Sequence, residues 1–266
     1  MNLPVRDTQT YVFYRKVLGI LSRASVPFLM GGGFALEFYT HLGRGKKDMD
    51  LLIKREDLEE VFEAFNKSGF KPELTFSHWL GKVYCENDFV DIIFNSGNGL
   101  CEVDDLWFKH AVRGEVFGFP VKFCPPEEMI WTKAFVMERE RYDGADVMHL
   151  LFKCSEKLDW TRLVARFDSH WQVLLSHLIL FGYIYPSERQ RIPHSVLQQL
   201  LARLDNELTG PTAANQACQG PLLSRTQYRF DIEKMGYSDA RLAPDSKMSS
   251  EETINWTAAA EAEKQK

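Results

Sequence analysis

FLMGGGFALEFYTHLGRGKKDMDLLI, residues 28–53, decides how this chain is read. A short apolar run leads into Gly31, Gly32 and Gly33, which lack Cβ atoms. The backbone there can turn sharply and bring its N–H groups against a polyphosphate. The residues from Phe34 to Leu42 are expected to open a helix whose positive N-terminal end faces the same place. Asp48 and Asp50 then stand in Asp-Met-Asp-Leu-Leu-Ile, the pattern of a strand, where side chains two apart share a face. Two adjacent carboxylates repel unless a cation lies between them, and near phosphates that cation is usually Mg²⁺. Taken alone, Asp-x-Asp is more often a pair of exposed charges, and a glycine run a tight turn. Arg44, Lys46 and Lys47 form either a solvated loop or, through the planar fork of Arg44, a phosphate contact.

Outward from this stretch, periodicity supplies the frame. Val12, Phe13, Val17, Leu18, Ile20 and Leu21 recur at helical spacing across 9–23, and Ser25 and Pro27 end that helix. Leu58, Val61, Phe62 and Phe65 fall at i, i+3, i+4 and i+7, with Gly69 as a C-terminal stop. Short strands are expected near 73–76, 81–86 and 88–94, the last two joined by a turn at Asn87-Asp88. CEVDDLWFKHAV predicts a further helix, and GEVFGFPVKFC a final strand. The composition changes at Cys124-Pro125-Pro126, where a proline followed by Glu127 and Glu128 marks a helix start. Helices are predicted over 126–141, 144–154, 159–168, 170–184 and 194–206. The fold class is therefore α/β (α+β): a small mixed sheet over 1–124 and a helical region over 125–204 closing one side of a cleft. An irregular tail covers 205–266, disordered from about 245.

The bulk properties narrow the function. A net charge of −5 speaks against general affinity for nucleic acid, and no DNA partner is expected, although a local basic groove remains compatible with it. The longest apolar run, 173–184, contains His177 and is too short to span a bilayer. The N-terminal residues lack a signal-peptide pattern, so no membrane partner is expected. Five cysteines, without metal-ligand spacing, read as reduced thiols of a cytoplasmic protein.

The order Gly31-Gly32, helix, Asp48-x-Asp50 resembles the nucleotidyltransferase superfamily that includes DNA polymerase β, aminoglycoside nucleotidyltransferases and AbiEii-like toxins. That resemblance implies a third carboxylate on a later strand, and Asp91 in Phe-Val-Asp-Ile-Ile-Phe is its natural match. It implies transfer of an NMP from an NTP to a hydroxyl acceptor that is a small molecule, RNA or protein. Two Mg²⁺ ions, or Mn²⁺ in their place, would be held by Asp48, Asp50 and Asp91, with Asp91 also activating the hydroxyl. Gly31, Gly32, Gly33 and Arg44 would contact the nucleotide. By resemblance to AbiEii-like proteins, Lys133 in the first helix after the boundary would reach the triphosphate. Asp143 and Asp146 match an Asp-x-x-Asp of the same region, or else cap the next helix and pair with Arg139 or Arg141. An AbiEii-like toxin acting on tRNA or protein, and a nucleotide-binding module without turnover, are the alternatives.

Overall fold

The computed structural model describes residues 8–43, 48–86, 88–211, 216–244 and 246–263. The chain divides into two compact units, Met1–Pro125 and Pro126–Lys266. In the first, the elements run α1 (Thr8–Ala24), β1 (Leu29–Met30), α2 (Gly32–Thr40), β2 (Met49–Leu52), α3 (Leu58–Lys67) and β3 (Lys71–Phe76). They continue through β4 (Leu80–Cys85), β5 (Asp88–Ile93), α4 (Asp105–Lys109), β6 (Val112–Val116) and β7 (Phe119–Phe123). The seven strands form one mixed sheet in the order β3-β4-β5-β2-β1-β7-β6. The pairs β2–β5 and β1–β7 are parallel, and the others are antiparallel.

Alternation along the strands separates two faces. Met49, Leu51, Val83, Val90 and Ile92 are fully buried on one of them. There Gly81 lies against Phe62 of α3, so close that a Cβ would stand 2.6 Å from the ring. The helices answer with their own stripes: Phe13, Val17, Leu18 and Leu21 on α1, and Leu58, Val61 and Phe65 on α3. Burying such stripes, at about 25 cal/mol per Å² of apolar surface, is what holds these short helices to the sheet. α3 stops as the sequence predicts, with Gly69 at φ 84 and the Phe70 N–H returning to Phe65 O.

Residues 114–124, expected as one strand, form a hairpin instead. Phe117 and Gly118 both take positive φ (52 and 83), the two-residue turn whose twist matches antiparallel strands. In the neighbouring hairpin Cys85 pairs with Asp88 and Glu86 takes φ 54; Asn87, expected in that turn, lies outside the described residues.

The second unit carries α5 (Pro126–Ala134), α6 (Gly144–Cys154), α7 (Trp160–Phe167), α8 (Trp171–Ile184) and α9 (His194–Thr209). A short parallel pair, β8 (Ala217–Cys218) with β9 (Ser238–Asp239), and the helices α10 (Arg229–Lys234) and α11 (Ser250–Glu263) follow. The helix predicted to reach 141 ends at Ala134. Tertiary bonds claim the backbone beyond it: the Met137 N–H donates to Leu223 O, and Met137 bridges Tyr142. The tail expected to be disordered from about 245 holds α11, started by a reciprocal cap. The Glu252 N–H donates to Ser249 Oγ, and the Ser249 N–H to Glu252 Oε2. Glu127 and Glu128, read as first-turn acids, are also buried partners of Arg162 and Arg166 on α7. Among the described residues no helix is long and apolar enough to cross a membrane.

Candidate active site

The strand register assembles the site. In the parallel pair β2–β5, Asp50 stands directly opposite Asp91, and in the antiparallel pair β4–β5, Asp91 stands opposite Lys82. Glu73 faces Lys82 one strand further out. Partners in register share a face, so Glu73, Lys82, Asp91 and Asp50 form one row across four strands, opposite the face that α3 covers at Gly81. Asp48 precedes Asp50 by two residues, and its charge adds to the forces acting on Asp91. A parallel crossover thus sets Asp91 opposite Asp50, 41 positions earlier in the numbering.

The glycine triplet meets this row at its inner end. Gly31 follows β1 directly, and its N–H donates to Asp50 O at 2.9 Å. Gly32 opens α2 at φ +47. A Cβ on Gly32 would lie 1.6 Å from Asp50 Oδ2. Glycine is required there twice, for the backbone angle and for the carboxylate seated against it. Gly32 and Gly33 occupy the first turn of α2, where N–H groups have no carbonyl of their own helix to bond. The partial positive charge of that helix end suits both the Asp50 carboxylate and an incoming anion.

Lys82 at the other end was not singled out from the sequence. Its ammonium lies 2.5 Å from Asp91 Oδ1 and 3.9 Å from the centre of the Phe89 ring. Burial raises the Asp91 carboxyl above the usual carboxylate range; the Lys82 hydrogen bond and charge oppose the rise, and Asp48 adds to it. Tyr14 of α1, also unmarked beforehand, is buried beside the Asp-Met-Asp segment. Burial raises its phenol, as do the charges of Asp48, Asp88 and Asp50, against a hydrogen bond from the Met49 backbone. Tyr14 therefore pins the start of β2 and fixes where Asp48 and Asp50 emerge.

Asp50 leans towards Gly32 and Asp91 towards Lys82, and the consequence is visible. Among the described residues, no three His, Cys, Asp or Glu side chains converge closely enough, as they stand, to enclose a metal ion. The donor chemistry still fits a hard divalent cation: carboxylate oxygens on one face, of which Asp91 is desolvated and repelled by Asp48. Asp48 and Asp50 would hold such an ion, and Asp91 would join them through Oδ2, with Oδ1 kept by Lys82.

Two further residues expected at the site are Arg44 and Lys133. Arg44 lies outside the described residues. Lys133, near the end of α5 in the second unit, donates to Asp143 Oδ2 at 3.1 Å and Asp146 Oδ2 at 2.8 Å. Arg141 grips Asp143 with both Nε and Nη2. Burial would raise the Asp143 carboxyl, but Arg141 and Lys133 outweigh it and hold it below the usual range. His177 is buried with Nε2 3.0 Å from Ala134 O, a structural histidine.

No protein-family model matches the chain, and no curated protein does. Among solved structures the chain is similar to the antibiotic-resistance factor ANT(2'')-Ia, at 19% identity over 64% of this chain and 97% of that one, with a TM-score of 0.43. It is similar to an antigenic nucleotidyltransferase-like protein from Paracoccidioides brasiliensis, at 16% identity over 71% and 94% of the two chains, TM-score 0.44. It is also similar to the lincosamide antibiotic adenylyltransferase LnuA, solved with lincomycin bound, at 16% identity over 54% and 96%, TM-score 0.38.

Proposed function

We propose that this chain is a divalent-metal-dependent nucleotidyltransferase, moving an NMP from an NTP to a hydroxyl acceptor. The observation that carries this reading is the register Asp50↔Asp91, with Asp48 beside it and the Gly31–Gly32 turn against it. Phosphoryl chemistry asks little covalent work of a protein and much positioning of charge. Mg²⁺, or Mn²⁺ in its place, bound at Asp48 and Asp50 would supply charge neutralisation at the triphosphate and at the entering and leaving oxygens. The remaining work falls to the chain. Gly32 and Gly33 present N–H groups of the α2 terminus to the phosphates. Asp91 accepts the proton of the acceptor hydroxyl on Oδ2, while Lys82 holds Oδ1 and keeps the carboxylate in place. The hydroxyl oxygen bonds to the α-phosphorus, the bond to pyrophosphate breaks, and pyrophosphate leaves. The triphosphate contact expected of Lys133 gains no support from an ammonium set between Asp143 and Asp146.

The test is incubation with each α-labelled NTP, Mg²⁺ or Mn²⁺, and a cell extract. Label moving to small molecules, RNA or protein, and lost with chelator, is the expected result. No metal-dependent transfer from any NTP would sink the proposal.

A further inference from the structure

On its solvent side α1 carries Tyr11, Arg15, Lys16 and Arg23, which with Phe70 and Phe119 line an open groove of about 740 Å³. Among the described residues no carboxylate lines it, although the chain as a whole is acidic. Among the described residues neither Lys16 nor Arg23 is in an ion pair. Arg15 is held by its neighbours without being neutralised. It donates to Phe117 O, and its guanidinium sits 5.2 Å from the Phe119 ring centre and 5.7 Å from that of Tyr11. Three cations therefore face one concavity between aromatic rings.

The spacing selects the anion. Arg15 and Arg23 are eight residues apart, about 12 Å along a helix, which is farther than a single phosphate bridges. A chain of phosphates spans it. The rings select the form of that chain, because an unpaired base offers a face for stacking and a duplex does not. A flat anionic bilayer does not enter a groove. Unpaired strands in a cell are chiefly RNA. We propose that this groove binds single-stranded RNA, its phosphates along Arg15, Lys16 and Arg23 and a base against Tyr11 or Phe119. The site needs neither Asp48 nor Asp50, so it stands or falls apart from the transfer chemistry.

Fluorescence anisotropy of a labelled 15-residue oligouridylate with the full chain tests it. Saturable binding is expected, weakening with salt at a log–log slope of about −2, as for three phosphates at roughly −0.7 each. Lys16→Glu with Arg23→Glu should weaken it at least tenfold at low salt, with the circular dichroism spectrum and Tm unchanged, since neither side chain is in an ion pair among the described residues. Asp50→Asn should bind as the wild type does. Equal binding by the doubly charge-reversed chain would overturn the proposal. So would equal affinity for a duplex of the same length, or binding to phosphatidylserine vesicles without binding to the oligonucleotide.

Discussion

Asp91 in the first unit and Asp143 in the second are similarly buried, with side chains 17% and 11% exposed, and each is bonded to a lysine. Their carboxyls are nevertheless driven in opposite directions, Asp91 above the usual range and Asp143 below it. The difference lies in the company each keeps. Asp143 has the fork of Arg141 as well as Lys133, and burial is outweighed. Asp91 has Lys82 against both burial and the charge of Asp48, and burial wins. In a cluster of the Asp143 kind the charge is already balanced by its own cations. A cluster of the Asp91 kind gains from one more cation, which is the condition a metal-assisted site needs before its substrate arrives.

The widest way to break that contrast is to remove a carboxylate from each cluster. Asp50→Asn should lower transfer by roughly a thousandfold while leaving Tm near the wild-type value, since electrostatic stabilisation of transferring phosphate is the main catalytic term. Asp146→Asn should leave transfer chemistry in place and lower Tm instead. If Asp50→Asn turns over normally, the first cluster has no claim to the chemistry. Gly32→Ala comes next. The added Cβ meets Asp50 Oδ2, and φ +47 is strained for alanine. It should cost about 1–3 kcal/mol of stability and a further large fraction of activity, read by chemical denaturation beside a transfer assay.

The lysines sharpen the comparison. Lys133→Met takes one cation from both Asp143 and Asp146, which are mostly buried, and should destabilise the chain by about 2–3 kcal/mol, Arg141 sparing it the full loss. Lys82→Met should cost less stability and act on the pH profile. Without the ammonium, Asp91 is driven further upwards, so the acid limb of the transfer rate should move to higher pH, and Lys82→Arg should restore it. An unmoved limb would separate Lys82 from the site.

Much of this was legible beforehand, and the parts that were not have identifiable causes. The Gly31–Gly33 turn and the Asp48–Asp50 strand are local, and local pattern sufficed. The Asp50↔Asp91 pairing is a parallel contact across 41 residues, which no periodicity encodes; it entered through resemblance. Lys82 was within reach. Stepping back three residues on each side of the Cys85↔Asp88 pair puts Lys82 opposite Asp91. The hairpin at Phe117–Gly118 was obscured because phenylalanine seldom takes positive φ. α11 was lost to its polar, alanine-rich composition, although Ser249 and Glu252 stand at the spacing of a capping box. The early end of α5 could not be read locally, since Leu223 takes the Met137 N–H from far along the chain.

The smallest effect expected is also the most direct test of the contrast, because it is one of sign. A carboxyl raised on folding binds more protons in the folded state, so its contribution falls as pH rises from the unfolded value, about 4, through the folded one. For Asp91 that contribution is unfavourable above the folded value. Asp91→Asn keeps an acceptor for Lys82 and removes the charge, so in metal-free buffer it should raise Tm at pH 7, and the gain should shrink as pH falls towards 4. Asp143 and Glu138 are lowered, since Arg141 and Lys133 for the first, and Ser224 and Arg225 for the second, outweigh burial. The unfolded chain then binds more protons, so the stability they confer is complete above the unfolded values and lost as pH falls through the folded ones. Asp143→Asn should accordingly lower Tm at pH 7, with the deficit closing in acid. The two melting differences, plotted against pH, should approach zero from opposite sides; if they lie on the same side, the two clusters do not differ in the way their surroundings imply.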